Sequence, residues 1–201
     1  MQAARGASLT SSDAGEPDSR STTGRVSGPS KVRIVFAVVA LAAYAVDQGA
    51  KIWAVERLPR GDIEVLGEWF VLHLVRNPGA AFSTGTSYTL VFSVVASIAF
   101  LVVLWFARKL GNTVWAVALG LLLAGIGGNL TDRILRDPGP LKGHVVDLFM
   151  IPHWPVFNVA DVCIDVAAGL ILLQAFRNVR LDGSRHHDGH DEDEQPEGTA
   201  A

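Results

Sequence analysis

Four long apolar runs divide the chain. The first is 32-VRIVFAVVALAAYAV-46, and its helical pattern continues through 47-DQGAKIWAV-55. The others are 88-YTLVFSVVASIAFLVVLWF-106, 113-TVWAVALGLLLAGIGGNL-130 and 156-VFNVADVCIDVAAGLILLQAF-176. Each approaches the roughly 20 residues that a helix needs to cross the hydrocarbon core of a bilayer. Buried helices of a water-soluble domain are the rival reading, but four of them leave almost no amphipathic helix to cover the rest. The pattern therefore predicts an all-α membrane protein with four transmembrane helices. A different period appears once, in 69-WFVLHLVR-76. Alternation there puts Trp69, Val71, His73 and Val75 on one face of a strand and Phe70, Leu72 and Leu74 on the other. The NPGAAF that follows breaks it, with Pro78 and Gly79 in a turn. This is a plain hairpin turn or a surface open to an extended peptide by strand addition. His73 reads as packed or interfacial.

Composition adds the ends. Residues 1–30 are rich in Ser, Gly, Thr and Pro and cannot bury enough apolar surface to offset ordering entropy, which predicts a disordered tail. The membrane domain then occupies 31–178, and 179–201 form a second disordered tail, acidic and rich in His. His186, His187 and His190 lie among acids with nothing to fix ligand geometry, so a solvated tail is expected rather than a metal site. The single cysteine, Cys163, excludes a disulfide within the chain and reads as a small hydrophobe. The formal charge of −3 decides little, because acids and bases are unevenly placed.

Placement of the bases gives an orientation. Lys31 and Arg33 precede the first helix, Arg108 and Lys109 fill the turn between the second and third, and Arg177 and Arg180 follow the fourth. These places share one side of a four-span protein, so both termini are expected in the cytoplasm and the loops 56–87 and 131–155 outside. Those outer loops also carry bases, and the tight Arg108–Lys109 turn is the stronger indicator. Ala43-Tyr44-Ala45 resembles a cleavage site after a signal peptide. The long polar stretch before the first run argues against that alternative.

On this map the polar residues converge. Asp47, Gln48 and Lys51 lie at the outer end of the first helix, with Asp47 and Lys51 one turn apart and able to pair. Alone, they could be an interfacial cap with Lys51 snorkelling to the headgroups. Asn77 follows the strand. In 127-GGNLTDRIL-135, Asn129 and Asp132 share a face, Arg136 lies one turn beyond, and the glycines admit a close neighbour. His144 and Asp147 come next, and Asn158 and Asp161 open the fourth helix. Acids placed where hydrocarbon is expected cost several kcal/mol and ordinarily face a polar cavity. The expectation is a polar pocket just inside the outer membrane surface.

The chemistry open to such a pocket is narrow. HExxH, GxSxG, a P-loop and a dinucleotide fingerprint are all missing from the sequence, and Ser83, the one tempting nucleophile outside, has no evident base. Paired carboxylates remain. Two acids sharing a site cannot both ionise easily, so one can take a proton from water while the other hydrogen-bonds a carbonyl under attack. Such a pair hydrolyses an amide with no metal, and it titrates as a unit. A small proton- or ion-coupled transporter is an alternative, but it needs polar residues through the full bilayer depth. A noncatalytic scaffold gives no reason for acids from separate loops to meet.

Five blocks, 47-DQGAK-51, 76-RNPGAAFS-83, 127-GGNLTDR-133, 144-HVVDLF-149 and 157-FNVAD-161, resemble those of the lipoprotein signal peptidases. These signal peptidase II enzymes are bacterial intramembrane aspartyl proteases. The resemblance implies four transmembrane helices with a small extracytoplasmic β-cradle. It maps a catalytic dyad onto Asp147 and Asp161. Asp47, Gln48, Lys51, Asn77, Gly79, Asn129, Asp132, Arg133, Asn158 and Ala160 fall at supporting positions. It further implies a multi-pass monomer of the bacterial inner membrane, with its active site near the outer face. The substrate would be a prolipoprotein whose cysteine already carries diacylglycerol, cut just before that cysteine. No cofactor, metal or nucleic acid is implied; membrane lipid and globomycin-type cyclic peptide inhibitors are. Asp165 lies outside the blocks, one turn inward from Asp161. It could compete as a dyad partner, and otherwise reads as a buried acid, paired or protonated.

Overall fold

The structure, a computed structural model, describes residues 29–79 and 89–184. Four helices are long and apolar enough to cross a membrane. They are α1 (Pro29–Arg57), α2 (Thr89–Ala107), α3 (Thr113–Leu135) and α4 (Val159–Phe176). Three short strands, β1 (Ile63–Glu64), β2 (Val71–Asn77) and β3 (Val145–Met150), form an antiparallel sheet in the order β1-β2-β3. The sheet joins the end of α1, the end of α3 and the start of α4, so it caps the bundle at one end. The Arg108–Lys109 turn lies at the opposite end.

Helix α3 is the central element, packed against α1, α2 and α4. Lipid is as apolar as leucine, so helices in a bilayer associate through close packing rather than through the hydrophobic effect. Helix α3 supplies that packing with small buried residues, among them Ala116, Ala118, Gly120, Ala124, Gly125 and Gly128. At Gly125 the backbone of α4 comes so near that a Cβ would overlap the Ala160 carbonyl oxygen and lie 2.6 Å from Ile164 Cγ1. Leu90, Val91, Val94, Val95, Ile98 and Leu101 of α2 are exposed, as suits a lipid-facing helix. Asn112 caps α3 by accepting from the Val114 and Trp115 amides at 2.8 and 3.2 Å.

Two features depart from the sequence expectations. Strand β2 is where alternation placed it, but its faces are not. Leu72 pairs with Phe149 and Val75 with Asp147, so three steps on β2 match two on β3. This extra residue is a bulge, and it brings Leu72 and Val75 to one face instead of opposite faces. Its consequence is local and chemical: Asn77, opposite Val145, shares the Asp147 face, where strict alternation from Leu72 would have delivered Arg76. The chain also does not leave the body at 179. Val179 is buried, Trp115 Nε1 donates to its carbonyl at 3.0 Å, and the Gly111 amide donates to Leu181 O at 2.9 Å. The described structure runs on to Ser184, and 185–201, with the three tail histidines, lie outside the described residues, as do 1–28.

The α3–α4 contact yields a direct test. Gly125→Ala should lower stability by about 1–3 kcal/mol, the range for overpacking a tight contact. Gly169→Ala, where nothing lies within 4 Å of the added carbon, should leave it unchanged or raise it. Thermal unfolding of the purified protein in detergent measures both; equal melting of Gly125→Ala and the parent would contradict the packing described.

Candidate active site

The site is built outward from a buried cation. Lys51 has no exposed surface. Its ammonium carries three protons, and three acceptors take them: Asp47 Oδ2 at 3.0 Å, Asp132 Oδ2 at 2.9 Å and Asn129 Oδ1 at 2.9 Å. Such burial is tolerable only when the ion is paired and its partners are themselves satisfied. They are. Asp47 Oδ1 accepts the Ala160 amide at 2.9 Å, and Oδ2 also accepts Gln48 Nε2 at 3.0 Å. Gln48 reaches on to the Gly128 carbonyl at 3.2 Å. Asp132 accepts Arg136 Nε at 2.5 Å and the Val146 amide at 3.2 Å. A Cβ on Gly128 would overlap Asp47 Oδ2, so this glycine makes room for the carboxylate. Ala160 contributes its amide and its smallness, since a Cβ on Gly128 would lie 3.3 Å from its own.

A layer of asparagines connects this cluster to two further acids. An amide side chain both donates and accepts, which a bridge between a cation and a carboxylate requires. Asn129 accepts from Lys51 and donates to Asp161 Oδ1 at 2.8 Å. Asn158 is fully buried and donates to Asn129 Oδ1 at 3.2 Å and to Asp147 Oδ1 at 2.6 Å. It also forms a reciprocal capping box with Asp161 at the head of α4. From β2, Asn77 donates to Asp147 Oδ2 at 3.0 Å and accepts the Gly79 amide at 3.0 Å. Both oxygens of Asp147 and Oδ1 of Asp161 thus have a donor from another element, and Asp161 Oδ2 takes the Asn158 amide at the head of its own helix at 3.1 Å.

Asp147 and Asp161 line one cavity of about 610 Å³, together with Asn77, Gly79, Asn129 and Arg133. Its exposed edge is apolar, with Ile151, Trp154 and Val162, and Val145 lines it deeper. Arg133 donates to the Asn129 carbonyl at 3.4 Å and interacts electrostatically with Asp132, Asp147 and Asp161. Burial pushes the Asp147 carboxyl up to about 6, and the charge of Asp161 adds to this. The hydrogen bonds from Asn77 and Asn158 and the charge of Lys51 oppose it. A carboxyl with this proton affinity, beside a second acid on an open wall, can exchange protons with bound water near neutral pH.

The structure brings together all twelve residues singled out by the sequence. Two others are placed differently. Asp165 is exposed on the cavity wall, not buried, because its face of α4 turns towards the cavity rather than into the bundle. His73 pairs with Asp62 at 2.8 Å and lies at the surface of the sheet. Ser83 lies outside the described residues. The apolar rim escaped the sequence reading, since Ile151 and Trp154 sit in an irregular loop with no period to mark them.

A family description, signal peptidase (SPase) II, matches residues 39–177. The chain is 43% identical over 180 residues to the lipoprotein signal peptidase of Leifsonia xyli subsp. xyli, covering 86% of this chain and 83% of that one. To the lipoprotein signal peptidase of Streptomyces coelicolor it is 44% identical over 165 residues, covering 82% and 80%. Among solved structures it is similar to a bacterial membrane enzyme determined by the in meso method at 1.9 Å resolution. The TM-score is 0.62 at 25% identity, covering 74% of this chain and 94% of the other.

Removing the cation should expose how much depends on it. Lys51→Met leaves Asp47 and Asp132 buried without their shared partner and should destabilise by about 3–5 kcal/mol. Adding Asp47→Asn should restore part of the loss, because one buried charge then disappears. Denaturant or thermal unfolding reads both changes, and a Lys51→Met protein as stable as the parent would refute the arrangement.

Proposed function

The chain belongs to the signal peptidase II family, and from that premise we propose that Asp147 and Asp161 are the catalytic dyad with which it processes its substrates. It is a multi-pass membrane peptidase that removes signal peptides from prolipoproteins. In our reading the substrate cysteine carries diacylglycerol and the cut falls just before it. One observation carries the assignment: two acids from different elements share a cavity wall, are joined through Asn158, and one has a proton affinity near 6.

The reaction needs one proton on the pair. The ionised carboxyl takes a proton from water as its oxygen attacks the scissile carbonyl. The neutral carboxyl hydrogen-bonds the carbonyl oxygen and steadies the charge that develops there. On collapse of the tetrahedral intermediate the C–N bond breaks and a proton from the dyad goes to the leaving amine. The proton belongs to the pair, so base and acid are roles of the unit. Asn77, Asn129 and Asn158 hold the geometry; the Lys51 cluster holds the asparagines.

The setting fits this substrate. A signal peptide is itself an apolar helix, and it enters laterally while the acyl chains remain in lipid. The apolar rim receives the chain and the polar floor receives the bond. We place both termini in the cytoplasm of a bacterial inner membrane and the dyad near the outer face. Lys109 lies over the Trp105 ring at 4.3 Å, an interfacial arrangement at the end opposite the sheet. The protein acts as a monomer, and globomycin-type cyclic peptides would occupy the same cavity. A transporter relay is not supported. Residues 116–128 of α3 and 166–173 of α4 carry no polar side chain, which leaves no track across the bilayer.

Asp147→Asn and Asp161→Asn should each slow cleavage of a lipidated precursor by at least the ~10²–10⁴-fold that general acid–base catalysis supplies. Both variants should remain folded, because asparagine keeps the shape. A folded variant of either kind that cleaves near the parent rate would remove that residue from the dyad.

The pH dependence has a definite sign. The Asp147 proton affinity lies above the ordinary carboxyl value of 3.8, at about 6. Its contribution to stability is therefore full below 3.8 and is lost as pH rises through about 6. Activity follows the same proton: the Asp161 charge helps hold it on Asp147, so its loss leaves the pair with none, and kcat/KM should fall as pH rises, with an apparent midpoint near 6. Asn77→Ala removes a bond that favours the ionised form and should move this limb to higher pH. A limb that stays in place would contradict the role given to Asn77.

A further inference from the structure

Asp165 is the acid of α4 that the dyad network leaves unused. It lies one turn beyond Asp161, about 6 Å along the axis and on the same face. Its side chain is exposed, on the wall of the cavity that Asp147 and Asp161 also line. Among the described residues, its carboxyl has no hydrogen-bond or ion-pair partner. From 166 to 173 the helix is wholly apolar, so Asp165 marks the deep end of the polar surface. A carboxyl at such depth costs free energy unless something bonds to it. What fills the cavity can do so.

The inference rests on the signal-peptide reading given above. With the dyad near the outer face, the part of the substrate before the cut lies deeper than the dyad, alongside Asp165. A scissile bond must leave the helical hydrogen-bond ladder for water to reach its carbonyl, so the residues next to it run extended. At about 3.3 Å per residue, 6 Å corresponds to two residues. We propose that Asp165 is a specificity-determining residue that hydrogen-bonds a serine or threonine hydroxyl at the second residue before the scissile bond. A carboxylate only accepts and a carboxylic acid also donates. A hydroxyl does both, so it matches either form of Asp165. A lysine or arginine would bring a full charge to the same depth, and an amide would bring further polar atoms that need partners.

The test compares two lipidated precursors that differ only in threonine or valine at that position, a pair of nearly equal shape. Purified full-length protein should cleave the threonine precursor with a kcat/KM about three- to tenfold higher, the worth of one hydrogen bond. Asp165→Val should bring the ratio to about one, losing rate on threonine and gaining it on valine. Asp165→Asn, which still donates and accepts, should keep the preference. A purely structural role would slow both precursors alike. Cleavage of both at equal rates by the parent protein overturns the inference by itself, even if a variant fails to fold. So does an unchanged ratio in folded Asp165→Val. Failure of the parent to cleave either precursor would instead overturn the function assigned to the protein.

Discussion

A buried ammonium must be neutralised, and the way Lys51 meets this need organises the rest of the site. Its three proton acceptors come from two helices, and each acceptor has a second task. Asp47 takes the Ala160 amide and so fixes the head of α4. Asp132 takes the Val146 amide and so fixes β3 one residue before Asp147. Asn129 turns its other end to Asp161. Three routes thus run from one cation to the two acids that face the cavity. Loss of the charge would loosen all three together, which is the difference between a scaffold and a set of independent contacts.

The same cluster explains why one acid keeps a high proton affinity close to a lysine. The Lys51 charge is already engaged by Asp47 and Asp132 at 3.0 and 2.9 Å. Its influence on Asp147 is the smallest of those acting there, and burial dominates. Neutral amides, not cations, contact the dyad oxygens. Amides orient a carboxyl while stabilising its ionised form less than a salt bridge would. The arrangement keeps structural charge and catalytic charge apart within one polar floor.

Much of this was legible in the sequence because the bilayer simplifies the reading. Four long apolar runs in so short a chain point to spanning helices, and polar residues gathered at one end of three of them converge. Asp47, Lys51, Asn129, Asp132, Asn158 and Asp161 follow from that alone. Strand β3 did not, since 145-VVDLFM-150 has no alternation and becomes a strand only by pairing with β2. The bulge between Leu72 and Val75 was also invisible, because one inserted residue leaves no trace in composition. Yet it decides whether Asn77 or Arg76 faces Asp147. Asp165 was misjudged because periodicity states which residues share a face, not what that face meets; Val179 was assigned to the tail by composition, which does not show that Trp115 bonds to its carbonyl.

The central claim is that Asp147 and Asp161 work as one proton-sharing unit. A double-mutant cycle tests it most directly, with single-turnover cleavage of a lipidated precursor by Asp147→Asn, Asp161→Asn and the double variant, each confirmed folded. Residues that act as a unit are strongly non-additive. The double variant should therefore be little slower than either single one. Losses that multiply, so that the logarithms of the two single effects add, would show two independent groups and contradict the account.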